Sequence, residues 1–359
     1  MKKAVIVVSI LILVYFMFVS NDNHKNKPSN VINKRSVVNK SIHKGIAMTL
    51  YDSTNNDQWF DETFPKIKNM GAELQVVTGV HVKDLKDSVP VNDPNVDEKL
   101  NRLFKKSKEY GVKVSMLKPH LMSPELGDSF DRGSYMPADI NLFFSQWKNI
   151  ILYYAKVSEE NHVSFLSITC ETTALTQNTY VPYWQEIINE VREKYPAVKI
   201  TMAFKKEELD RELAYHEKKL IGISPFLDEI SLNMYPKVKR EYVHKKRIFP
   251  TDDIFVINSE QYGFIEGIRK AHRYFKKDIL ITETGSTYRS DSSKDYLNPI
   301  VLDKTKPHDY VDQQYWLQIV VSVLLQMKEI KGIYVWNVNS PFQILDAPPA
   351  KVLKKLYRE

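Results

Sequence analysis

Eight short apolar runs, rich in β-branched residues, alternate along the chain with longer amphipathic stretches. Consecutive apolar positions are typical of parallel strands that are buried on both faces. Such strands are joined by helices, and eight strand-helix units predict a closed barrel rather than an open sheet. The predicted strands are Gly45–Leu50, Glu73–Val80, Val112–Lys118, Ser164–Cys170, Val198–Ala203, Glu229–Tyr235, Asp278–Thr284 and Gly332–Asn337.

The stretches between these runs have the spacing of amphipathic helices. The last one is apolar at Trp316, Ile319, Val320, Val323 and Leu324, which places one apolar stripe against a sheet. The pattern therefore predicts an α/β protein in which residues 44–359 form a single-domain (β/α)8 TIM barrel. The clearest predicted helices are Val96–Tyr110, Asn141–Ser158, Tyr183–Tyr195, Ile265–Phe275 and Tyr310–Glu329.

The N-terminal segment has a different pattern. Lys2 and Lys3 precede an uncharged apolar stretch from Ala4 to Val19, as in an export signal. No small-residue cleavage site follows, so residues 1–20 are predicted to be either a signal peptide or an uncleaved signal anchor. Residues 21–43 are polar and predict a flexible basic tether. We expect the protein to be secreted or anchored at the outer face of the cell membrane, with membrane contact only through this segment.

The charge of the chain lies in the same segment. The formal net charge is +7, and eight Lys and Arg residues against Asp22 alone precede Gly45, so the remainder is neutral. A neutral body argues against a nucleic-acid partner. The basic segment Pro236–Phe255 is interpreted as a solvated loop, because it lacks the glycines of a phosphate site.

Several other kinds of site are not predicted. No glycine-rich phosphate loop follows the first run, and the histidines form no HxH or HExxH pair, so we expect neither an organic cofactor nor a metal. The single cysteine, Cys170, excludes an internal disulfide. We expect it to be a small buried residue rather than a nucleophile, because a neighbouring glutamate disfavours the thiolate.

Polar residues stand at the ends of the apolar runs, where a barrel carries its active site. Glu171 follows the fourth run and Glu283 lies in the end of the seventh. Two carboxyl groups on one rim are what glycoside cleavage requires, one to protonate the leaving oxygen and one to attack the anomeric carbon or activate water. The placement of the two glutamates therefore predicts a glycosidase.

With these residues the chain resembles the large clan of retaining glycosidases, and within it glycoside hydrolase family 113, the β-mannanase family. The resemblance extends over nearly all of residues 44–337. It implies cofactor-free hydrolysis of a β-linked oligosaccharide or polysaccharide, mannan or glucomannan-like, by double displacement. The segments that carry it are KGIAMTLYD, MGAELQVVTGVHV, GVKVSMLKPHL, SITCETTAL, DEISLNMYP, ILITETGSTYRS and GIYVWNVN.

The resemblance also implies roles for individual residues. Glu171 matches the acid/base, Glu283 the nucleophile and Tyr235 the tyrosine that hydrogen-bonds the nucleophile. His120 matches a sugar contact, and Trp336 matches the aromatic platform under the central sugar. Further candidate substrate-binding residues are Lys118, Trp59 and Asn337.

The chain departs from the clan beside the acid/base. Most members have an asparagine there that holds the sugar 2-hydroxyl, whereas here Cys170 precedes Glu171, and a thiol is a poor partner for a hydroxyl. This departure leaves open the alternative of a non-catalytic, surface-tethered barrel that binds carbohydrate. In either case we expect a monomer.

Overall fold

A computed structural model describes residues 41–51, 56–244, 250–256, 261–288, 295–300 and 310–358. The predicted signal segment and residues 21–40 of the predicted tether lie outside them. Eight parallel strands form the centre of the described chain. They are β1 (His43–Thr49), β2 (Glu73–His81), β3 (Val114–Met122), β4 (Phe165–Cys170), β5 (Lys199–Phe204), β6 (Ile230–Asn233), β7 (Ile279–Thr284) and β8 (Ile330–Val335).

The sheet closes on itself between the first and the last of these strands. Gly45 on β1 pairs with Glu73 on β2 and also with Tyr334 on β8, and every neighbouring pair around the ring is parallel. A Cβ atom at Gly45 would lie 2.3 Å from Tyr334 Cδ1, so this position accepts only glycine without rearrangement. The predicted (β/α)8 barrel is confirmed.

Helices cover the outside of the barrel. Asn56 and Asp139 cap the first and third helices with side-chain oxygens that accept from backbone N–H groups, which explains where those helices begin. The helices in the described residues are α1 (Asp57–Met70), α2 (Val96–Tyr110), α3 (Ile140–Glu160), α4 (Val181–Lys194), α5 (Lys206–Glu217), α6 (Phe264–Phe275), α7 (Tyr310–Leu325) and α8 (Ala347–Arg358).

The last helix is tied to the first strand. Lys44 Nζ donates to the carbonyl of Tyr357 at 2.9 Å, and the Tyr357 hydroxyl donates to the carbonyl of Gly45 at 2.7 Å. Tyr357 is buried in this contact. Helix α8 therefore stabilises the strand at which the barrel closes.

Two apolar layers result from the alternation of side chains along the strands. Residues such as Leu117, Ile281 and Ile333 point outward into the large cluster beneath the helices. Their inward neighbours are separate from that cluster and fill the inside of the barrel, as is usual for this fold. The inner cluster consists of Met116, Phe165, Leu280 and Tyr334.

Strand β3 is longer than predicted, since it continues past Lys118 to Met122. Strand β2 is equally long and pairs with it through His81 and Met122, which extends both strands above the rest of the barrel. Lys118 and His120 therefore lie within a strand and not at its end. Tyr235 and Trp336, in contrast, lie just beyond β6 and β8.

The basic segment after β6 was wrongly interpreted as a solvated loop. Lys237–Lys239 forms the middle strand of a small antiparallel sheet with Phe255–Val256 and Tyr296–Leu297. Val238 is fully buried, because a strand turns alternate residues inward and leaves the flanking lysines outward. Residues 245–249 of the segment lie outside the described chain.

Within the residues that the structure describes, no helix combines the length and the apolar character that membrane crossing requires.

Candidate active site

Glu283, near the end of β7, lies among buried hydrogen-bond donors. Lys118 Nζ donates to its Oε1 at 2.5 Å, and the Tyr235 hydroxyl donates to its Oε2 at 2.8 Å. The glutamate is 5% exposed, and Lys118 is completely buried beneath it. Each carboxylate oxygen thus has its own donor, which holds the group in one orientation.

These neighbours keep Glu283 ionised. Burial alone would raise the pKa of Glu283, but the Lys118 ammonium and the contact with His120 lower it well below its ordinary value. Burial and the negative charge of Glu283 raise the pKa of Tyr235 well above its ordinary value, so its hydroxyl remains a donor. The arrangement provides a buried, oriented carboxylate with negative charge at neutral pH.

His120 lies under the rim rather than on its surface. The Tyr51 hydroxyl is 2.7 Å from Nδ1, while Nε2 is 3.5 Å from Glu283 Oε1, which is an electrostatic contact and not a well-formed hydrogen bond. Burial, followed by the charge of Arg132, lowers the pKa of His120 to about 3. The imidazole is therefore neutral at physiological pH.

Glu171 follows β4 directly and has a different environment. Arg132 Nη2 donates to its Oε2 at 3.3 Å, and Asn233 Nδ2 donates to its Oε1 at 3.0 Å. Its backbone has φ of 55°, in the left-handed region that costs a residue with a side chain about 1–3 kcal/mol. The backbone N–H of Glu171 donates to the carbonyl of Ala203 on β5, which holds this conformation. The side chain of Glu171 is 16% exposed, against 6% for Glu283.

A short chain of polar contacts joins the two glutamates. The Cys170 thiol, next to Glu171, is 3.7 Å from Glu283 Oε1, and Asn233 Nδ2 is 3.4 Å from the same sulfur. The carbonyl oxygen of the Asn233 side chain accepts from the Thr282 hydroxyl at 2.8 Å. Burial raises the pKa of Cys170 far above its ordinary value, so the group is a thiol and not a nucleophile.

Trp336 forms one wall of the site. Its ring stacks on His120 with 5.8 Å between centroids and 12° between planes, and Lys118 Nζ lies 5.4 Å from the ring. The peptide bond to Asn337 is cis. A Cβ atom at Gly285 would lie 2.2 Å from the carbonyl oxygen of Trp336. The loop after β7 can therefore come this close to Trp336 only because position 285 is a glycine.

Two predicted residues lie apart from this cluster. Asn337 is buried, and its side chain accepts from the backbone N–H of Asn339 within the loop after β8. Trp59, in the first turn of α1, packs edge-on against Phe60 at 5.3 Å between centroids. Within the described residues neither side chain has a hydrogen bond to Glu171 or Glu283. Their predicted substrate contacts stay predictions.

Three residues of the site were not among the predicted ones. Arg132 lies in the loop between β3 and α3, where no periodic pattern marks it, and Tyr51 follows β1. Asn233 is a polar residue inside the apolar run of β6, and that interruption was the available signal. Lys118 does not reach the rim, since its ammonium group lies beneath Glu283.

The side chains of His120, Cys170 and Glu283 place one possible ligand atom each within 4.8 Å of one another. The Lys118 ammonium already bonds the Glu283 oxygen of this group at 2.5 Å, and a metal ion there would be repelled by it. The Cys170 thiol would also have to lose its proton. We therefore assign no metal to this cluster.

The chain is similar to proteins of known family and structure. The sequence profile of Glycoside Hydrolase Family 113 matches residues 57–351. No curated protein matches the chain. A GH113 β-1,4-mannanase structure superposes with a TM-score of 0.67 at 18% identity, over 89% of this chain and 99% of the other. The β-mannanase AaManA from Alicyclobacillus acidocaldarius, in complex with ManMIm, gives 0.64 at 16% identity, over 88% and 97%.

Proposed function

Because the chain belongs to glycoside hydrolase family 113, and is therefore a glycoside hydrolase, we propose that it is a retaining enzyme for β-linked, manno-configured glycans. The substrate is mannan or a glucomannan-like polysaccharide, as the names of the two superposed β-mannanases suggest. The observation that carries the proposal is the buried, ionised Glu283, held by Lys118 and Tyr235 in the mouth that Glu171 shares.

The proposed reaction has two displacements. In the first, Glu283 attacks the anomeric carbon while Glu171 gives its proton to the leaving oxygen, which yields a covalent glycosyl-enzyme and a free sugar. In the second, Glu171 takes a proton from water, and the resulting hydroxide equivalent displaces Glu283. Two inversions restore the β-configuration of the product.

The neighbouring residues support these steps. Lys118 and Tyr235 keep the Glu283 carboxylate oriented for attack, and each can stabilise its negative charge again when the second step releases it. The neutral imidazole of His120 stacks on one face of the Trp336 ring. Trp336 offers an apolar surface on which a sugar ring can stack, as the resemblance implies.

Azide rescue of two alanine variants tests the two roles. We expect Glu171→Ala to lose about 100- to 10,000-fold in kcat on manno-oligosaccharides, because general acid catalysis is removed, and Glu283→Ala to lose at least as much. With an activated aryl β-mannoside, azide rescues Glu283→Ala as the α-glycosyl azide, because it occupies the vacated nucleophile position. The same reagent rescues Glu171→Ala as the β-glycosyl azide, which NMR distinguishes.

Glu73→Gln is the matched control for these variants, because Glu73 begins β2 at the opposite end of the barrel and pairs with His43 at 2.7 Å. It should retain wild-type turnover. Wild-type-like turnover in either alanine variant would overturn the assignment. If the wild-type protein binds manno-oligosaccharides in calorimetry but hydrolyses no glycan of a broad panel, the non-catalytic carbohydrate-binding barrel is the correct function instead.

A further inference from the structure

Strand β7 contains a β-bulge directly before the proposed nucleophile. Between Ile281 and Glu283 it advances two residues, while the paired strand β6 advances one. The next backbone N–H along that neighbour, at Met234, donates to the carbonyl of Glu283. An extra residue in a bulge is left unpaired. The bulge therefore leaves the carbonyl of Thr282 out of this ladder.

Gln75, on β2, bonds this carbonyl from across the barrel. Its side-chain Nε2 donates to the carbonyl oxygen of Thr282 at 2.9 Å. Lys118 Nζ lies 3.5 Å from the same oxygen and 2.5 Å from Glu283 Oε1. The ammonium group thus lies between two acceptors, and its shorter contact is with the carboxylate.

Stability alone does not account for a glutamine at this position. Gln75 is fully buried, and its Oε1 has no hydrogen-bond partner among the described residues. A buried polar atom without a partner lowers stability. Proteins accept such a cost mainly at functional sites. The one hydrogen bond that the Gln75 side chain makes within the described chain is to the residue before Glu283.

We propose that Gln75 is a positioning residue for the nucleophile, because it fills the Thr282 carbonyl and thereby leaves the Lys118 ammonium to Glu283. A buried carbonyl oxygen requires a donor. Without Gln75, the Thr282 carbonyl would draw Lys118 away from Glu283, which would then be less well oriented for attack. This inference rests on the proposed function, in which Glu283 attacks the anomeric carbon.

Gln75→Met tests the proposal, since methionine has a similar volume and no donor. We expect kcat/KM for a 2,4-dinitrophenyl β-mannobioside to fall about 10- to 100-fold, because this substrate needs attack by Glu283 but no proton from an acid. The acidic limb of its pH profile should move to higher pH, since a weaker contact with Lys118 raises the pKa of Glu283. His120, Cys170 and Tyr235, which also face Glu283, are unchanged in this variant. A loss of stability alone would not move the limb.

Thr201→Val is the matched control. The Thr201 hydroxyl is fully buried and donates to the carbonyl of Glu229 at 2.9 Å, but within the described residues it makes no hydrogen bond to Glu283 or Lys118. This variant should keep the wild-type kcat/KM and pH profile. Gln75→Glu is a second test, because it preserves the volume and its carboxylate cannot donate to a carbonyl, so its loss should be at least as large. Wild-type kcat/KM and an unshifted limb in either folded Gln75 variant would overturn the proposal.

Crystal structures give a readout that does not depend on activity. In unliganded Gln75→Met, Lys118 Nζ should lie within hydrogen-bond distance of the Thr282 carbonyl and farther from Glu283 than in the wild type. Lys118 in its wild-type position would contradict the proposal, as would a wild-type structure in which Gln75 does not bond Thr282. If the wild type hydrolyses no manno-configured glycan, the proposed function fails, and this comparison still decides the role of Gln75.

Discussion

Asn233 shows how much of this site depends on one side chain. Its amide contacts Glu171 and Cys170 as a donor and Thr282 as an acceptor, so it connects β4, β6 and β7. The clan places an asparagine before the acid/base, where this chain has Cys170. Asn233 supplies an amide to the same region from a neighbouring strand, although it contacts Glu171 itself.

Removal of this amide should impair the proton transfer rather than the attack. We expect Asn233→Ala to lower kcat/KM about 10- to 100-fold for aryl glycosides with poor leaving groups, because the hydrogen bond that orients Glu171 for proton transfer is lost. A 2,4-dinitrophenyl glycoside should be affected much less, because its leaving group needs no proton.

The comparison of the two leaving groups separates positioning from general damage. Thr282→Val serves as the control, because it removes the link to the Asn233 side chain and leaves the donor to Glu171 in place. Equal losses on both leaving groups in Asn233→Ala would mean that the residue only maintains the fold of the rim.

At the scale of elements, loops after the strands determine the shape of the site. The loop after β7 passes so close to the loop after β8 that Gly285 touches the backbone of Trp336. Backbone oxygen atoms cannot move away as a flexible side chain can. The position of the Trp336 ring therefore depends on a residue without a side chain on the neighbouring loop.

Gly285→Ala should displace this contact. We expect a loss of about 1–3 kcal/mol in the free energy of unfolding, as for other substitutions that overfill a packed region, and a reduced kcat/KM because the aromatic wall moves. Urea unfolding and steady-state kinetics measure the two effects.

Gly267→Ala provides the comparison within the same chain. Gly267 lies in α6, and a Cβ atom there would meet its nearest neighbour at an ordinary 3.5 Å. The substitution should be neutral or stabilising, because alanine favours a helix by up to about 1 kcal/mol over glycine. Similar unfolding curves for both alanine variants would refute the steric explanation.

The sequence contained enough information for the elements but not for the side-chain network. Continuous apolar runs identified all eight strands, because each is covered on its outer face. The extension of β3 to Met122 was missed, because Lys118 and His120 interrupt the apolar pattern while pairing with the equally long β2 maintains the strand. The small sheet around Val238 depends on two distant partners, which no local pattern shows.

The same limit applied to the site. Glu171 and Glu283 were predictable, because strand ends converge in a barrel. Arg132 was not, since the long loop after β3 brings it to Glu171 through contacts distant in sequence. Lys118 is buried beneath Glu283 because its side chain points into the barrel. That direction depends on how all eight strands pair around the ring, which the local sequence does not show.

At the scale of the whole molecule, buried carboxyl groups shape the response of stability to pH. Glu208 on α5 is 1% exposed, and it accepts from Thr176 at 2.6 Å and from the backbone N–H of Lys205 at 2.7 Å. Burial raises the pKa of Glu208 from 4.5 to about 7 despite these donors. The folded protein therefore favours the protonated form more than the unfolded chain does.

Glu208 changes stability with pH in the opposite direction to an ion-paired carboxylate. Because the folded-state pKa of Glu208 lies above the unfolded one, stability falls as the pH rises from about 4.5 to about 7, by about 3 kcal/mol. We expect Glu208→Gln to reduce the loss of unfolding free energy between pH 5 and pH 8, since glutamine accepts the Lys205 N–H without ionising. Urea titrations at both pH values measure it.

Glu207→Gln is the control for the pH effect, because its side chain is exposed on the same helix. It should leave the pH dependence unchanged. An identical pH dependence in the wild type and Glu208→Gln would show that the buried carboxyl is not the source.

The contact between α8 and β1 has a consequence for synthesis on the ribosome. Strand β1 emerges early, but its partner β8 and the tyrosine that binds Gly45 follow roughly 300 residues later, which takes about 15–60 s at typical elongation rates. During that time one edge of β1 has no partner, and an unpaired edge invites association with other chains. This edge of β1 therefore stays open to such association until β8 has been made.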